Sequence, residues 1–210
     1  RDIEDSMEGI VPMQRLVQGD VGSGKTAIAI LALTKIVENG YQGALMAPTE
    51  VLAAQHFKTF QQVFKGMPVK TAYLSGHTKA AERKEILEQL KDGSIHILIG
   101  THALIEENVV FSALGLVITD EQHRFGVKQR QALESKGKSP HVLIMTATPI
   151  PRTMALSVYG DLDVSFIKGM PPGRHPVKTY VVGSHMLQRI FRFMKKEMES
   201  GHQAYVVCPL

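Results

Sequence analysis

Short runs of valine, isoleucine and leucine alternate along this chain with longer segments in which apolar residues recur every three to four positions. The short runs show no polar alternation, which is typical of strands that are covered on both faces of a sheet. They predict strands at residues 15–18, 43–47, 70–74, 95–99, 116–119 and 142–145. The longer segments predict helices at residues 26–38, 51–64, 80–91 and 126–135, with a short turn at 102–106.

The order of these elements indicates an α/β fold. Repeated strand–helix–strand units require right-handed crossovers and therefore predict a mostly parallel sheet sandwiched by helices. In open sheets of this kind, ligands bind at the edge where the carboxyl ends of the strands meet. We therefore expect the chemistry in the loops that follow the strands.

A change of composition divides the chain. Residues 168–176 hold three prolines and two glycines, which cannot continue a helix or a central strand. Beyond them the pattern predicts a strand at 177–182, a helix at 186–200 and a strand at 204–207. One such unit cannot bury both faces of its two strands, so it is interpreted as the beginning of a second, truncated domain. The predicted organisation is a first domain at 1–168, a linker at 169–176 and the second-domain segment at 177–210.

Composition and charge exclude several classes of protein. The single cysteine, Cys208, rules out an internal disulfide and a cysteine-based metal cluster. No run approaches the roughly 18 apolar residues of a membrane-spanning helix, and residues 1–8, with four acids, are not a secretory signal. A chain that begins at Arg1 is expected to be part of a longer protein. The net charge of +4 permits an anionic partner such as nucleic acid but does not require one.

A phosphate-binding motif follows the first predicted strand. Residues 19–26 fit the pattern Gly-x-x-x-x-Gly-Lys-Ser/Thr, in which backbone N–H groups cradle phosphates, the lysine reaches the β- and γ-phosphates and the hydroxyl binds Mg²⁺. The predicted strand before it and the apolar helix after it favour this interpretation over a glycine-rich turn with an incidental lysine. The predicted nucleotide-binding residues are Gly19, Gly22, Ser23, Gly24, Lys25 and Thr26.

Two acids follow the fifth predicted strand and would complete a nucleotide site. Asp120 is predicted to hold Mg²⁺ together with Thr26, and Glu121 to accept a proton from the water that attacks the γ-phosphate. The alternative interpretation is a solvated acidic pair at the end of a strand. The phosphate motif favours the catalytic interpretation over this one. From the residues alone, His123 is either a local hydrogen-bond partner or a catalyst.

Threonines follow two other predicted strands. Pro48-Thr49 and Gly100-Thr101 lie at the same predicted edge as the phosphate motif, where N–H groups and hydroxyls can bind phosphodiesters without reading bases. Each can equally be an ordinary strand-to-helix turn with a threonine cap. Arg152 could contact DNA or cap a helix.

The sequence Asp120-Glu121-Gln122-His123, with the phosphate motif, resembles the DExH group of superfamily 2 helicases, and the longer phrases at residues 16–26, 120–126 and 148–153 resemble RecG-type branched-DNA helicases. The resemblance implies a RecA-like motor domain that uses ATP and Mg²⁺, with Lys25, Glu121 and His123 as catalytic residues. It implies that Gln122, His123, Thr146 and Thr148 couple nucleotide state to DNA. It also implies DNA contacts by Pro48, Thr49, Ser75, Gly76, Thr101 and His102.

The resemblance implies that the partner is branched DNA, in the form of stalled forks and Holliday junctions. It also implies that the parent chain contains a second RecA-like domain and an upstream wedge domain. It implies a cytoplasmic repair enzyme that does not associate with membranes. The chain alone is expected to hydrolyse ATP very slowly, because the second domain supplies an arginine to the γ-phosphate.

Two alternatives remain open at this stage. The first is the motor of a transcription–repair coupling translocase, which typically has glutamate in place of Gln122. The second is a nucleotide-dependent switch module that never binds DNA. A metabolite kinase is disfavoured, since the acidic motif is of the wrong type.

Overall fold

The computed structural model describes residues 1–121, 127–148, 162–167 and 177–208. The chain divides into two compact units, Arg1–Pro172 and Gly173–Leu210, which are treated separately below. Among the described residues, no helix combines the length and apolar character needed to cross a bilayer.

The first unit is built on a seven-stranded sheet in the order β3-β4-β2-β5-β6-β1-β7, and every described strand pair is parallel. Its strands are β1 Gln14–Gln18, β2 Gln42–Met46, β3 Thr71–Leu74, β4 Ile97–Gly100, β5 Leu114–Asp120, β6 His141–Thr146 and β7 Asp163–Phe166. Its helices are α1 Asp2–Met7, α2 Lys25–Glu38, α3 Glu50–Val63, α4 Ala80–Lys91 and α5 Val127–Glu134, and a short 3-10 turn spans His102–Ile105.

Both faces of the sheet are covered, because successive residues of each strand point to opposite faces. On β5, Leu116 and Ile118 join the core under α1, α2 and α3, whereas Val117 joins the core under α4, α5 and the 3-10 turn. The α/β fold with a parallel sheet between helices is therefore confirmed, as are the six predicted strands and the helices of this unit, within two residues at their ends.

The second unit departs from the prediction. Its helix α6 (Leu187–Glu199) follows a short 3-10 turn at Ser184–Met186, but residues 177–183 and 201–208 form no strand. The two predicted strands, at 177–182 and 204–207, are wrong. Val181 and Val207 are almost fully exposed. An apolar run is stable as a strand only where neighbouring strands pair with its backbone and its apolar face packs on other strands or on a helix.

A buried glutamine fixes the start of β2, the strand that leads to the Pro48-Thr49 loop. The Gln42 side chain donates to the carbonyl oxygens of Leu90 (2.8 Å) and Ile95 (2.6 Å) and accepts from the N–H of Ala113 (3.0 Å). Gln42 thus joins α4, the loop before β4 and the loop before β5.

Gln42→Leu should destabilise the first unit by about 3 kcal/mol, because it leaves buried backbone groups without partners. Urea unfolding, followed by circular dichroism, measures the loss. The exposed Gln61→Leu on α3 is the matched control and should change the free energy of unfolding by less than about 0.5 kcal/mol. Equal effects of the two changes would contradict the role given to Gln42.

Candidate nucleotide and nucleic-acid site

The predicted site residues that the structure describes all follow the carboxyl ends of strands, and because the strands are parallel these ends form one edge of the sheet. Gly19 to Thr26 connect β1 to α2, and Asp120 and Glu121 stand at the end of β5. Thr146 and Thr148 stand at the end of β6. The loops with Pro48 and Thr49, Ser75 and Gly76, and Thr101 and His102 follow β2, β3 and β4.

The loop between β1 and α2 has the backbone that its glycines permit. Gly22 and Gly24 have φ angles of 79° and 96°, a left-handed conformation that strains other residues. Gly19 is needed for a different reason, since a Cβ there would lie 2.5 Å from Ser23 Oγ. Lys25 begins α2, and its ammonium donates to the carbonyl oxygens of Gly19 (2.7 Å) and Asp20 (2.9 Å), across the loop.

These residues fit a phosphate group and a magnesium ion. Ser23 Oγ is buried without a hydrogen-bond partner among the described residues, so it can donate to an anion held in the loop. The N-terminus of α2 faces the loop, and its dipole favours negative charge. Thr26 and Asp120 offer the oxygen ligands that Mg²⁺ prefers.

The end of β6 connects the loop with the acidic pair. Thr146 accepts a hydrogen bond from the N–H of Gly19 (3.2 Å), and Met145 accepts one from the N–H of Glu121 (2.9 Å). Because β6 lies between β1 and β5, the two segments are separated by about two strand spacings, or roughly 10 Å. A phosphate chain can span that distance.

The Glu121 side chain is directed towards β6. Glu121 is one of two described residues other than glycine with positive φ, at 51°, and its Oε1 accepts from the N–H of Ala147 (3.2 Å). Thr148 adds contacts beside this one. Its N–H donates to Thr146 Oγ1 (3.1 Å), and the two hydroxyl oxygens are 3.2 Å apart. The strained backbone of Glu121 is held by these contacts, as is common where a side chain must be aimed.

The loops after β2, β3 and β4 expose different groups from those that the sequence suggests. Ser75 and Thr101 are only 3% and 2% exposed, and Ser75 Oγ accepts from the N–H of His77 (3.2 Å). Gly76 and His102 are exposed. Thr49 caps α3 by accepting from the N–H of Leu52 (3.3 Å). The Ser75 hydroxyl therefore shapes its loop, whereas Thr101 Oγ1 is buried without a hydrogen-bond partner among the described residues. The exposed neighbours form the outer surface of these loops.

An exposed ion pair adjoins these loops. The Nδ1 atom of His77 lies 2.8 and 3.0 Å from the carboxylate oxygens of Glu50. This hydrogen bond raises the pKa of His77 and lowers the pKa of Glu50. The Glu50 carboxylate thus stays charged at the first turn of α3, where the helix dipole also favours it.

His56 is a site residue that sequence reasoning missed. It lies on α3, is 8% exposed, and its Nε2 is 2.8 Å from Asp120 Oδ2. The sequence offered one indication of this role. His56 lies at helical spacing from Ala53 and Phe60, on the buried stripe of α3, where an apolar residue is expected. The predicted residues Gln122 and His123, and Arg152, lie outside the described residues.

Comparison with known proteins places this arrangement in a family. The family profile for DEAD/DEAH box helicases matches residues 4–156. The chain belongs to the DEAD/DEAH box helicase family. The similarity to RecG-type helicases that the motifs indicated is also confirmed by the relatives described next.

This helicase chain is 55% identical over 210 residues to the ATP-dependent DNA helicase RecG of Bacillus subtilis (strain 168), covering 100% of this chain and 31% of the relative. It is 49% identical over 212 residues to the ATP-dependent DNA helicase RecG of Aquifex aeolicus (strain VF5), covering 100% of this chain and 27% of the relative. A solved structure of RecG bound to a three-way DNA junction superposes with a TM-score of 0.82 at 46% identity, covering 100% of this chain and 28% of that one. The chain thus spans less than a third of the length of these relatives.

Proposed function

We propose that this chain is the ATP-binding motor half of an ATP-dependent DNA helicase that remodels branched DNA, such as stalled forks and Holliday junctions, in recombination and repair. The observation that carries the proposal is the joint attachment of the phosphate loop and Glu121 to the last residues of β6, through Thr146 and Met145. The two relatives described above match the whole chain and are RecG helicases, which favours this function over a transcription–repair coupling translocase and over a switch module without DNA.

The chain's own residues divide the chemistry among them. The loop N–H groups, Ser23 and Lys25 bind the phosphates of ATP, and Thr26 and Asp120 hold magnesium. When bound, the metal would neutralise charge that develops on the phosphate oxygens. Glu121, held by the N–H of Ala147, takes a proton from the attacking water.

The loops after β2, β3 and β4 are proposed to bind one DNA strand through its phosphates. Gly76 and His102 are exposed at this surface and Pro48 and Thr49 are half-buried beside it, whereas Ser75 and Thr101 lie beneath it. Thr146 accepts from the N–H of Gly19 in the phosphate loop and its hydroxyl contacts Thr148. We therefore propose that these two threonines, with Gln122 and His123, relay nucleotide state to this surface. Contacts of this kind carry no sequence information, which suits a motor that must travel over any sequence.

The parent protein is proposed to contribute the remaining parts. A second RecA-like domain, beginning in residues 177–210 after a linker at 169–176, would supply an arginine to the γ-phosphate, and an upstream wedge domain would hold the branch point. Because it would act on chromosomal DNA, we propose that the parent protein lies in the cytoplasm of a bacterium. The chain alone should therefore bind Mg·ATP weakly and turn it over slowly.

The proposal is tested with the full-length parent protein by measuring ATPase activity and DNA affinity on branched and linear duplexes. Branched DNA should stimulate ATP hydrolysis more strongly, and log K for DNA should fall linearly with log of the salt concentration. Nucleotide binding without salt-dependent DNA affinity would favour the switch module. Equal stimulation by linear and branched duplexes would favour the coupling translocase.

Gly76→Glu probes the DNA surface directly. A Cβ at Gly76 meets nothing within 4 Å and its φ is not positive, so the side chain should be accommodated without strain. The added charge should weaken DNA binding about tenfold at low salt, and less at high salt, because it repels phosphate. The control Gln62→Glu adds the same charge to an exposed position in the last turn of α3, near the opposite edge of the sheet. Equal effects of both variants would remove the β3 loop from the DNA surface.

A further inference from the structure

A buried histidine on α3 has no role in the function proposed above. His56 is 8% exposed and occupies the stripe of α3 that packs on the sheet, between Ala53 and Phe60. Burying an imidazole is costly unless its polar atoms find partners. The site therefore needs a specific partner, and the structure supplies one.

That partner is a carboxylate of the nucleotide site. His56 Nε2 lies 2.8 Å from Asp120 Oδ2, and both side chains are almost entirely buried, at 9% and 12% exposure. A carboxylate only accepts, so the imidazole N–H donates. Asp120 points to the α3 face because it continues the alternation of Leu116 and Ile118 along β5.

We propose that His56 is the positioning residue that orients the Asp120 carboxylate for magnesium. The inference rests on the proposed function, in which Asp120 holds the metal. A hydrogen bond on Oδ2 restricts rotation of the carboxylate and leaves Oδ1 as the oxygen that would be available to the ion or its water. Groups that hydrogen-bond to metal ligands commonly contribute 10–100-fold to metal affinity, by about this mechanism.

His56 lies on the helix that begins at the proposed DNA surface. The same helix begins at the cap formed by Thr49, in the loop proposed to contact DNA, and His56 follows seven residues later, about two turns along the helix. One helix therefore carries a DNA-facing loop at its start and the partner of the metal carboxylate further along. A shift of α3 would move both.

The test compares two amides that differ only in reach. In His56→Gln the amide nitrogen extends to the place of Nε2 and can still donate to Asp120, whereas in His56→Asn it stops at the place of Nδ1. Magnesium affinity is measured in the full-length parent without DNA, by titrating Mg²⁺ against binding of a fluorescent ADP analogue. His56→Asn should lose about 10–100-fold in magnesium affinity, and His56→Gln should stay within about threefold of the unmodified protein.

Two further measurements separate positioning from mere packing. Affinity for the ADP analogue without magnesium should be alike in the Gln and Asn variants, because neither change alters the phosphate loop. In an Asp120→Asn background the difference between the two amides should vanish, because a residue that acts through Asp120 has nothing left to orient.

The outcomes distinguish the inference from the function on which it rests. If the unmodified parent binds the analogue with no dependence on magnesium, the proposed function fails and the inference with it. If that dependence is present but His56→Gln and His56→Asn have equal magnesium affinity, the inference alone is overturned. It is also overturned if their difference persists in the Asp120→Asn background.

Discussion

Replacing Glu121 by glutamine in the full-length parent protein should lower kcat for ATP hydrolysis by about 10²–10⁴-fold, the usual contribution of a positioned general base. ATP affinity should stay within about threefold, because the loop residues proposed to bind the phosphates are unchanged. Steady-state ATPase assays with saturating DNA give kcat, and equilibrium binding of a fluorescent nucleotide gives the affinity.

The structure explains why glutamine isolates the proton transfer. Oε1 of Glu121 accepts from the N–H of Ala147 (3.2 Å) and the Glu121 N–H donates to Met145 (2.9 Å). A glutamine oxygen can keep the first contact and the backbone keeps the second, so the side chain retains its direction. The substitution removes the negative charge and the ability to take a proton.

The control is Glu107→Gln, the same change at an exposed carboxylate in the loop before β5. It should leave both kcat and nucleotide affinity unaltered. Turnover of Glu121→Gln within about threefold of the unmodified protein would remove Glu121 from the role of base. A parallel loss of ATP affinity would instead assign Glu121 to binding.

The central sheet was predictable because its strands are covered on both faces. The runs that became β2 and β5 are continuous apolar segments, and every residue of both is buried. The backbone of the phosphate loop was equally predictable. The positive φ angles of Gly22 and Gly24 favour glycine, so the glycines of the sequence indicate the conformation of the loop.

Elements at the margin of the fold were not predictable by the same signal. β7 (Asp163–Phe166) was missed because it pairs on one side with β1 and has no fully buried residue, so its sequence alternates. α1 (Asp2–Met7) was missed because its six residues include three acids and none is buried. The two false strands of the second unit show the opposite error, since apolar composition alone does not provide a pairing partner.

The candidate site was predictable wherever one short segment carries the chemistry. Asp120 and Glu121 adjoin in sequence, so the strand before them places both. His56 could not be assigned, because its contact with Asp120 joins residues 64 positions apart, and a single histidine on an amphipathic helix suggests no partner. The burial of Ser75 and Thr101 likewise depends on loop geometry that the sequence pattern does not specify.

Lys25→Met should lower kcat/KM for ATP hydrolysis by the full-length parent about 10²–10³-fold. This is the range found when one preorganised charge stabiliser is removed. Lys25 begins α2, and its ammonium lies across the loop on the carbonyl oxygens of Gly19 and Asp20. Phosphate oxygens entering the loop would meet that charge, and methionine keeps the length of the side chain without it. Initial rates over a range of ATP concentrations provide kcat/KM.

Lys35→Met is the matched control, because Lys35 lies on the same helix in its last turn and pairs with Glu8. It removes the same charge far from the loop, so kcat/KM should change by less than about twofold. Raising the ionic strength should not narrow the difference between Lys25→Met and the unmodified protein, since the proposed contact is a direct hydrogen bond to phosphate rather than long-range attraction. Equal losses from the two lysine changes would show that net charge on α2 matters, and the loop would lose its assigned role in holding the γ-phosphate.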